Sequence, residues 1–522
     1  MQLQTTNYKT FTLGTIQFTD FRQANHCLPG DSVEWQGTKC RLVKRASHRF
    51  LPGVLELNSK TIYGHTSRGS KLFLFHPHDR KYPPFRVGSK SSATTNQLGL
   101  IEFMDWEDFE TLPRGNLIRL LGPCGDLDAE KKALTYQYSF PQLASELFDI
   151  DEPNESDRVG LEGFTFNIDP DGCLDIDDVF TLKQISDTVW QFVITISDVA
   201  AHIPANSTGD IHAFQMGQTL YQNGEAVVPM LPAPLSEMAL SLRPNEKHVG
   251  VSLFCEWNTE TKQLDIKGFQ ETLFQNNRSY SYESVYKADE FPLQILQDIA
   301  STLHGSTTTD SHEWVAECMI LYNKEVAKKL LESQSGLLRT HKPADLDKLR
   351  MFTEIHPELK ALAYEAAKYE PTAPGLIHAG LGEVPYAHAS SPIRRYADVV
   401  NQRALKAILK GQKSEAASQT LVAHLNAIQK KMRAYERSLF FLEQVANETS
   451  GTVEGHVVFA NPEKTNVYVP AWKQMIRLQP GQYSIGQTLT LEYYANLQKP
   501  YWDERMVFRI KNDINEDAKH DA

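Results

Sequence analysis

The sequence predicts an α+β protein of several domains, and three changes of texture along the chain predict it. Residues 1 to about 150 carry short alternating runs such as "FTLGTIQF", "DSVEWQ", "CRLVKRA", "GVLEL", "KLFLF" and "NLIRLLG", broken by Gly, Pro and polar turns. That is the pattern of small β-barrels. From about 155 to 300 strands mix with Pro-rich loops, and from about 312 to 446 the apolar spacing becomes helical. Residues 450 to 512 return to β texture in "SGTVEGHVVFA", "KTNVYVPA", "QTLTLEYYA" and "MVFRI". A chain of 522 residues suits this division into several domains.

Each element has its own reason. The first β region divides into two barrels of about 75 residues, 1–75 and 76–152, a size that fits the length better than one barrel does. The run "SKSSATTNQ" has the composition of a linker. A central domain of mixed α/β character is expected over 153–447. In it "SHEWVAECMILYNKEVAKKLLESQ" reads as one long helix. A second long helix places Leu421, Leu425, Ile428, Met432, Tyr435, Leu439 and Leu442 on one apolar stripe. A third barrel is expected over 448–514, and the polar tail 515–522 is expected to fray.

Apolar residues make up 41% of the chain and charged residues 23%, the balance of a packed globular protein. The longest apolar runs, such as "QFVITISDVAAHI", fall short of the roughly 20 apolar residues of a membrane helix. The start "MQLQTTNYKT" lacks a basic, apolar leader. A cytoplasmic protein without a membrane partner is expected. The six cysteines stand far apart with neither CxxC nor Cys/His ligand spacing, which supports reduced thiols rather than a zinc site or disulfide framework. A net charge of −12 argues against a uniformly basic coat and leaves room for a basic groove inside an acidic exterior.

The stretch "FNIDPDGCLDIDDVF" crowds Asp169, Asp175, Asp177 and Asp178 beside an apolar run. Phe164, Phe166 and Ile168 alternate with Thr165, Asn167 and Asp169, so Asp169 ends a strand with one buried face. Pro170, Asp171 and Gly172 turn the chain. Leu174, Ile176 and Val179 then interleave with the remaining acids. Carboxylates held so close repel one another unless cations lie between them. A calcium loop of the EF-hand type fits badly, because Gly172 falls at the fourth position instead of the sixth and Phe180 at the twelfth. Magnesium, held by a few carboxylates together with substrate phosphates, fits better. A solvated Asp-rich loop is the plain alternative.

A second constellation lies far downstream in "AHASSPIRRYADVVNQRALKAIL". Ser391 has the character of a helix N-cap and Pro392 of a first helical residue. Arg394 and Arg395 would then occupy the first turn, where the helix dipole disfavours cations. Free backbone N–H groups and guanidinium forks in that place suit a phosphate. Two exposed arginines on a surface helix are the plain alternative here.

Together "IDPDGCLDIDDVF" and "HASSPIRRYADVVNQR" resemble the catalytic domain of the ribonuclease II family, also called RNB, which includes ribonuclease R and the exosome's catalytic subunit. The likeness extends through "VITISDVAAHI", "LYQNGEAVVPMLPAPLSEMALSL", "ECMILYNKEVAKKL", "LLRTHKPADLDKL" and "LNAIQKKMRAYER", over roughly residues 155 to 445. It implies an α+β multidomain fold: two N-terminal OB or cold-shock-like barrels, a central mixed α/β RNB domain and a C-terminal OB-type RNA-binding barrel. It also implies a processive 3'-to-5' hydrolytic exoribonuclease that converts single-stranded RNA to nucleoside 5'-monophosphates. By position, Asp169, Asp175, Asp177 and Asp178 match the family's four acids around magnesium, with manganese as the alternative ion. Asp177 matches the one whose loss harms catalysis most. Arg394 matches the arginine on the scissile phosphate, and Tyr221 the tyrosine that stacks on the terminal base. Glu436 matches an acid near the 3' nucleotide, and Ser391 and Arg395 belong to the RNA-binding set. Partners implied are single-stranded RNA and other RNA-decay proteins, with the chain acting as a monomer.

Phosphodiester hydrolysis explains these residue types. One cation makes a nucleophile of a bound water, a second neutralises the leaving 3' oxygen, and Arg394 steadies the charged phosphorus. This sequence departs from the family pattern at Met216, Gln222–Asn223, Leu240 and His248, which bears on the grip of substrate and leaves the acids untouched. Two further readings compete with the nuclease: a catalytically idle RNA-binding scaffold and a 3' nuclease with DNA or mixed substrates. Intact acids and arginines favour the active enzyme, since a scaffold gains nothing from crowded like charges.

Overall fold

The computed structural model describes residues 1–46, 50–138, 150–222, 224–288, 290–446, 450–496, 499 and 501–511, so the expected tail lies outside the described residues. The chain forms two compact units, one of Met1–Ser139, Phe352–Leu359 and Met432–Ala522, the other of Phe140–Met351 and Lys360–Lys431.

In the first unit residues 1–46 make two small antiparallel sheets, Gln4–Thr5 with Phe11–Leu13 and Ile16–Phe18, and Ser32–Gln36 with Lys39–Lys44. Leu3, Phe11, Leu13, Cys27, Val33 and Cys40 form their common core. The strands Leu51–Leu55, Lys71–Pro77, Phe85–Ser89, Gln97–Asp105 and Arg114–Pro123 then close a barrel. Around the ring they run first, second, third, fifth, fourth, the OB arrangement, and it is shut by a parallel pairing of Arg114 and Gly115 with Arg86 and Val87. The helix Leu127–Tyr138 packs Ala129 and Ala133 against Val54 and Leu98 of this barrel.

Two expectations are corrected here. The border at residue 75 falls inside the barrel's second strand, and "SKSSATTNQ" lies between its third and fourth strands instead of between barrels. Small polar residues serve a loop as well as a linker, and the closing pair joins segments too distant for local pattern to reveal. Asn96 fixes that loop: its Oδ1 accepts from the backbone N–H groups of Leu57 and Asn58, at 3.1 and 3.2 Å.

The C-terminal part of this unit has five antiparallel strands, Ser450–Asn461, Lys464–Val469, Gln474–Leu478, Thr488–Ala495 and Met506–Ile510. Their spatial order is third, second, first, fourth, fifth, again the OB order, open between the third and fifth among the described residues. Val457, Val467, Val469, Trp472, Leu491 and Tyr493 fill its core with Phe441.

The second unit is built on a seven-stranded mixed sheet. Its spatial order is Val159–Gly160, Gln263–Gln275, Lys247–Asn258, Val189–Ser197, Asp178–Gln184, Phe164–Asp169 and Arg278–Ser281. Phe166, Phe180, Phe192, Leu253 and Trp257 face the helices Phe291–His304 and Ser311–Glu332, which cover that side. The alternate residues carry hydroxyls, buried and paired with each other: Thr165 with Thr181 at 2.8 Å, and Thr195 through Ser252 to Thr272 at 2.7 Å each. Asp198, fully buried, accepts from Arg158 Nη2 at 2.6 Å and Lys406 Nζ at 2.5 Å, which binds the sheet to the helix Tyr396–Leu409. The expected domain 153–447 is interrupted, because Phe352–Leu359 and the chain from Met432 onward group with the barrels. That division cuts through the long helix Gln419–Ala446, whose unbroken apolar stripe hides it from sequence. All six cysteines are unpaired, and no helix among the described residues is long and apolar enough to cross a membrane.

Candidate active site

The antiparallel pairing of Phe164 with Leu182 and Phe166 with Phe180 sets Asp169, at the end of one strand, beside Asp178, at the start of the next. Between them the chain turns at Pro170–Cys173, where Cys173 N–H donates to Pro170 O at 3.1 Å and Gly172 takes φ +75°. Buried Ile176 and Val179 draw the returning limb inward, and Ile176 N–H donates to Ser241 Oγ at 3.1 Å. Asp177 is carried in with them and is 3% exposed. Ser197 N–H donates to its carbonyl at 2.9 Å.

The second constellation arrives on the turn before the helix Tyr396–Leu409. Here the expectation of a helix capped by Ser391 is corrected. Ser391–Arg394 form a turn, with the N–H groups of Arg394 and Arg395 donating to Ser391 O at 3.3 and 3.0 Å, and the helix begins only at Tyr396. The buried Asp398 overrides the local capping signal: its Oδ1 accepts from Ser391 N–H at 2.8 Å and from Arg395 Nη2 at 2.8 Å. The turn aims Ile393 N–H at Asp177 Oδ1, 2.9 Å, and Arg394 Nε at Asp177 Oδ2, 3.1 Å. Arg394 keeps 47% of its side chain exposed while the carboxylate it holds is almost closed off. Its Nη2 also donates to Ser391 Oγ at 3.3 Å.

Tyr221 joins the same group. Its ring lies with the Arg394 guanidinium 5.9 Å from its centroid, and its hydroxyl donates to Asp175 Oδ2 at 2.5 Å. Backbone bonds fasten its strand Leu220–Gln222 to the arginine turn: Thr219 N–H donates to Arg394 O at 3.0 Å and Tyr396 N–H to Gly217 O at 2.9 Å.

Burial dominates the electrostatics. It pushes Asp177 up to about 7 against the opposing pull of Arg394 and Ile393 N–H. Burial, and then the charges of Asp169 and Asp177, hold Asp178 well above the ordinary carboxylate range, and burial also raises Asp169. Asp178 Oδ2 is buried without a hydrogen-bond partner. Four all-oxygen side chains, one with an orphaned buried oxygen, make a donor set that fits a hard divalent cation. As they stand, Asp175 and Asp177 satisfy themselves with Tyr221, Ile393 and Arg394. No three His, Cys, Asp or Glu side chains among the described residues form a ready set of metal ligands.

Of the expected site residues, the fold gathers Asp169, Asp175, Asp177, Asp178, Ser391, Arg394 and Tyr221. Arg395 is turned away from the acids and spent on Asp398. Glu436 is exposed on the stretch of helix that belongs to the first unit. Met216 and Leu240, two of the departures, are buried apolar residues, and His248 Nε2 lies 2.7 Å from Arg243 O. Asn223 lies outside the described residues. Sequence reasoning missed Asp398 and Asn167. Asn167 stands on the polar face of its strand's alternation, so no local pattern marks its burial, and Asp398 stands among apolar residues in the first turn of its helix.

A family model described as the RNB domain matches residues 161–293 and 287–411, and one described as the Dis3-like cold-shock domain 2 matches 72–139. The probable exosome complex exonuclease RRP44 of Caenorhabditis elegans is 25% identical over 84% of this chain and 57% of its own. The chain spans about half the length of the curated relatives it matches, 57% of the worm protein and 46% of the human one. Mycoplasma genitalium RNase R in its apo form superposes with a TM-score of 0.72 at 16% identity, covering 98% of this chain and 100% of that one. The same protein has also been solved with ribose-methylated single-stranded RNA, with a TM-score of 0.71 at 17% identity. Yeast Ssd1, described as a pseudonuclease, gives a TM-score of 0.59 at 16% identity over 91% of this chain and 71% of its own. These structural likenesses speak for the fold alone.

Proposed function

The chain belongs to the RNB family, and we propose that it is a processive 3'-to-5' exoribonuclease that hydrolyses single-stranded RNA to nucleoside 5'-monophosphates. The observation that carries this reading is the contact of Arg394 and Ile393 with Asp177, which joins an anion-seeking turn to a cluster of four carboxylates. In this reading Asp169, Asp175, Asp177 and Asp178 hold magnesium or manganese, which when bound supplies an activated water and a counter-charge for the leaving 3' oxygen. The half-exposed end of Arg394 grips the scissile phosphate while its Nε keeps Asp177 in register. The ring of Tyr221 offers the terminal base a platform that reads no sequence. RNA as the substrate class is supported by the likeness to relatives named exosome complex exonuclease and ribonuclease R. Other RNA-decay proteins are its proposed partners, and we take it to act as a monomer.

A second reading has specific support. The likeness to a pseudonuclease, and carboxylates bonded to protein donors rather than converging on one point, suit an idle RNA-binding scaffold. A time course on a 5'-labelled single-stranded RNA, with and without EDTA, decides between them. The enzyme converts the full-length strand to one short labelled product, with few strands of intermediate length, only when divalent cation is present. An intact label under all conditions supports the scaffold, and equal loss of a DNA strand of the same sequence removes the RNA assignment.

A further inference from the structure

Asp169 is held differently from Asp177. Asn167, two residues earlier on the same strand, is fully buried, and its Nδ2 donates to Asp169 Oδ2 and to Ser279 Oγ, each at 2.9 Å. Its Oδ1 accepts from Nδ2 of Asn276 at 2.9 Å. Asn276 is itself fully buried; it gives its other amide hydrogen to Leu242 O at 2.7 Å and accepts at Oδ1 from Arg278 N–H at 3.2 Å. Both amides thus use each of their hydrogens and their oxygen. Flipping Asn167 would set its oxygen against a carboxylate, and flipping Asn276 would set its oxygen against Leu242 O, so the orientation of the relay is fixed by its own ends.

We infer that Asn167 is a positioning residue for Asp169, with Asn276 as its brace: the amide relay fixes the Asp169 carboxylate by holding Oδ2 with a neutral donor. Where Asp177 is held by a guanidinium, Asp169 is held without bringing a positive charge to compete with a cation. A fully satisfied buried network suits this task, since any single break strands a polar group in the interior. The inference rests on the proposed role of the acids as cation ligands.

The test is Mn2+ binding to the full chain without RNA, followed by the paramagnetic resonance of the free ion, for the parent and for Asn167→Leu, Asn167→Ser and Thr165→Val, the last breaking the buried Thr165–Thr181 pair on the same strand outside the relay. Loss of an outer partner of a ligand weakens metal binding by about 10- to 100-fold, the change expected for both Asn167 variants, while Thr165→Val stays within about twofold. Should Asn167→Leu fail to fold, Asn167→Ser, which keeps a polar group too short to reach Asp169, carries the test. Parental affinity in the Asn167 variants overturns the inference alone. An equal loss in Thr165→Val also overturns it, by making the effect one of packing. A parent that binds no Mn2+ sinks the cation reading of the cluster, and this inference with it.

Discussion

Arg394 Nε donates to Asp177 Oδ2 at 3.1 Å across 217 positions of sequence. Because Ile393 N–H covers the other oxygen at 2.9 Å, Asp177 is clamped on both sides by one turn. An asparagine there keeps one acceptor and sets an N–H against the Arg394 donor. Asp177→Asn is expected to lower mononucleotide release by at least about 100-fold, the scale of losing one preorganised charge contact. RNA affinity, measured by fluorescence anisotropy, should stay near the parental value because Tyr221 and the barrels are untouched. A variant that digests RNA at the parental rate removes Asp177 from the chemistry.

Tyr221 has two separable functions, a ring beside Arg394 and a hydroxyl bonded to Asp175. Tyr221→Ala removes both and should weaken single-stranded RNA binding by about 1 to 3 kcal/mol, roughly 5- to 140-fold. Tyr221→Phe keeps the ring and should bind RNA like the parent. It should nevertheless turn over more slowly, since Asp175 Oδ2 loses its donor. Equal affinities for the Ala and Phe variants would mean the ring does not stack on RNA.

The acids were legible because they stand within ten positions and their alternation with apolar residues already implies burial. Their meeting with Arg394 was legible only through the family resemblance, since no local rule joins residues so far apart. What stayed hidden was set by distant partners. Asp398 draws Ser391 and Arg395 into a turn and delays the helix to Tyr396, against a local Ser-Pro pattern that marks an earlier start. Asn167 finds Asn276 across 109 positions. The barrel's closing pair of Phe85–Ser89 with Arg114–Pro123 is likewise non-local, so local texture alone does not reveal that Lys71–Pro77 belongs to the same barrel.

Gly217 is required by both conformation and space. Its φ is +70°, and a Cβ there would lie 2.3 Å from Ile428 Cδ1. Gly217→Ala should cost about 2 to 4 kcal/mol, combining left-handed strain with overpacking. Part of this should return when the obstacle is trimmed. In a double-mutant cycle by urea unfolding, Gly217→Ala with Ile428→Ala should be less destabilised than the sum of the singles by more than about 1 kcal/mol. Strict additivity would show that the clash is absent. Because Gly217 O accepts from Tyr396 N–H, the Ala variant should also lose activity at temperatures where it remains folded.

His78 gives the barrel unit a dependence on pH. It follows the strand Lys71–Pro77, its N–H donates to Pro52 O at 2.9 Å, and both ring nitrogens are buried without partners. Burial, aided by the nearby Arg505, lowers its pKa to about 3. Above the unfolded value of about 6.5 the ring is neutral in both states and contributes no penalty. As pH falls below that value the unfolded chain takes up a proton that the folded chain refuses until about pH 3, so stability declines across this window. Between pH 7.5 and pH 5 the loss from this one group is about 2 kcal/mol. His78→Phe, of similar bulk and without a titrating ring, should unfold at nearly the same urea concentration at both pH values as far as this group is concerned, and so lose less stability on acidification than the parent. If parent and variant lose the same amount, His78 is protonated in the folded barrel and its burial carries no such penalty.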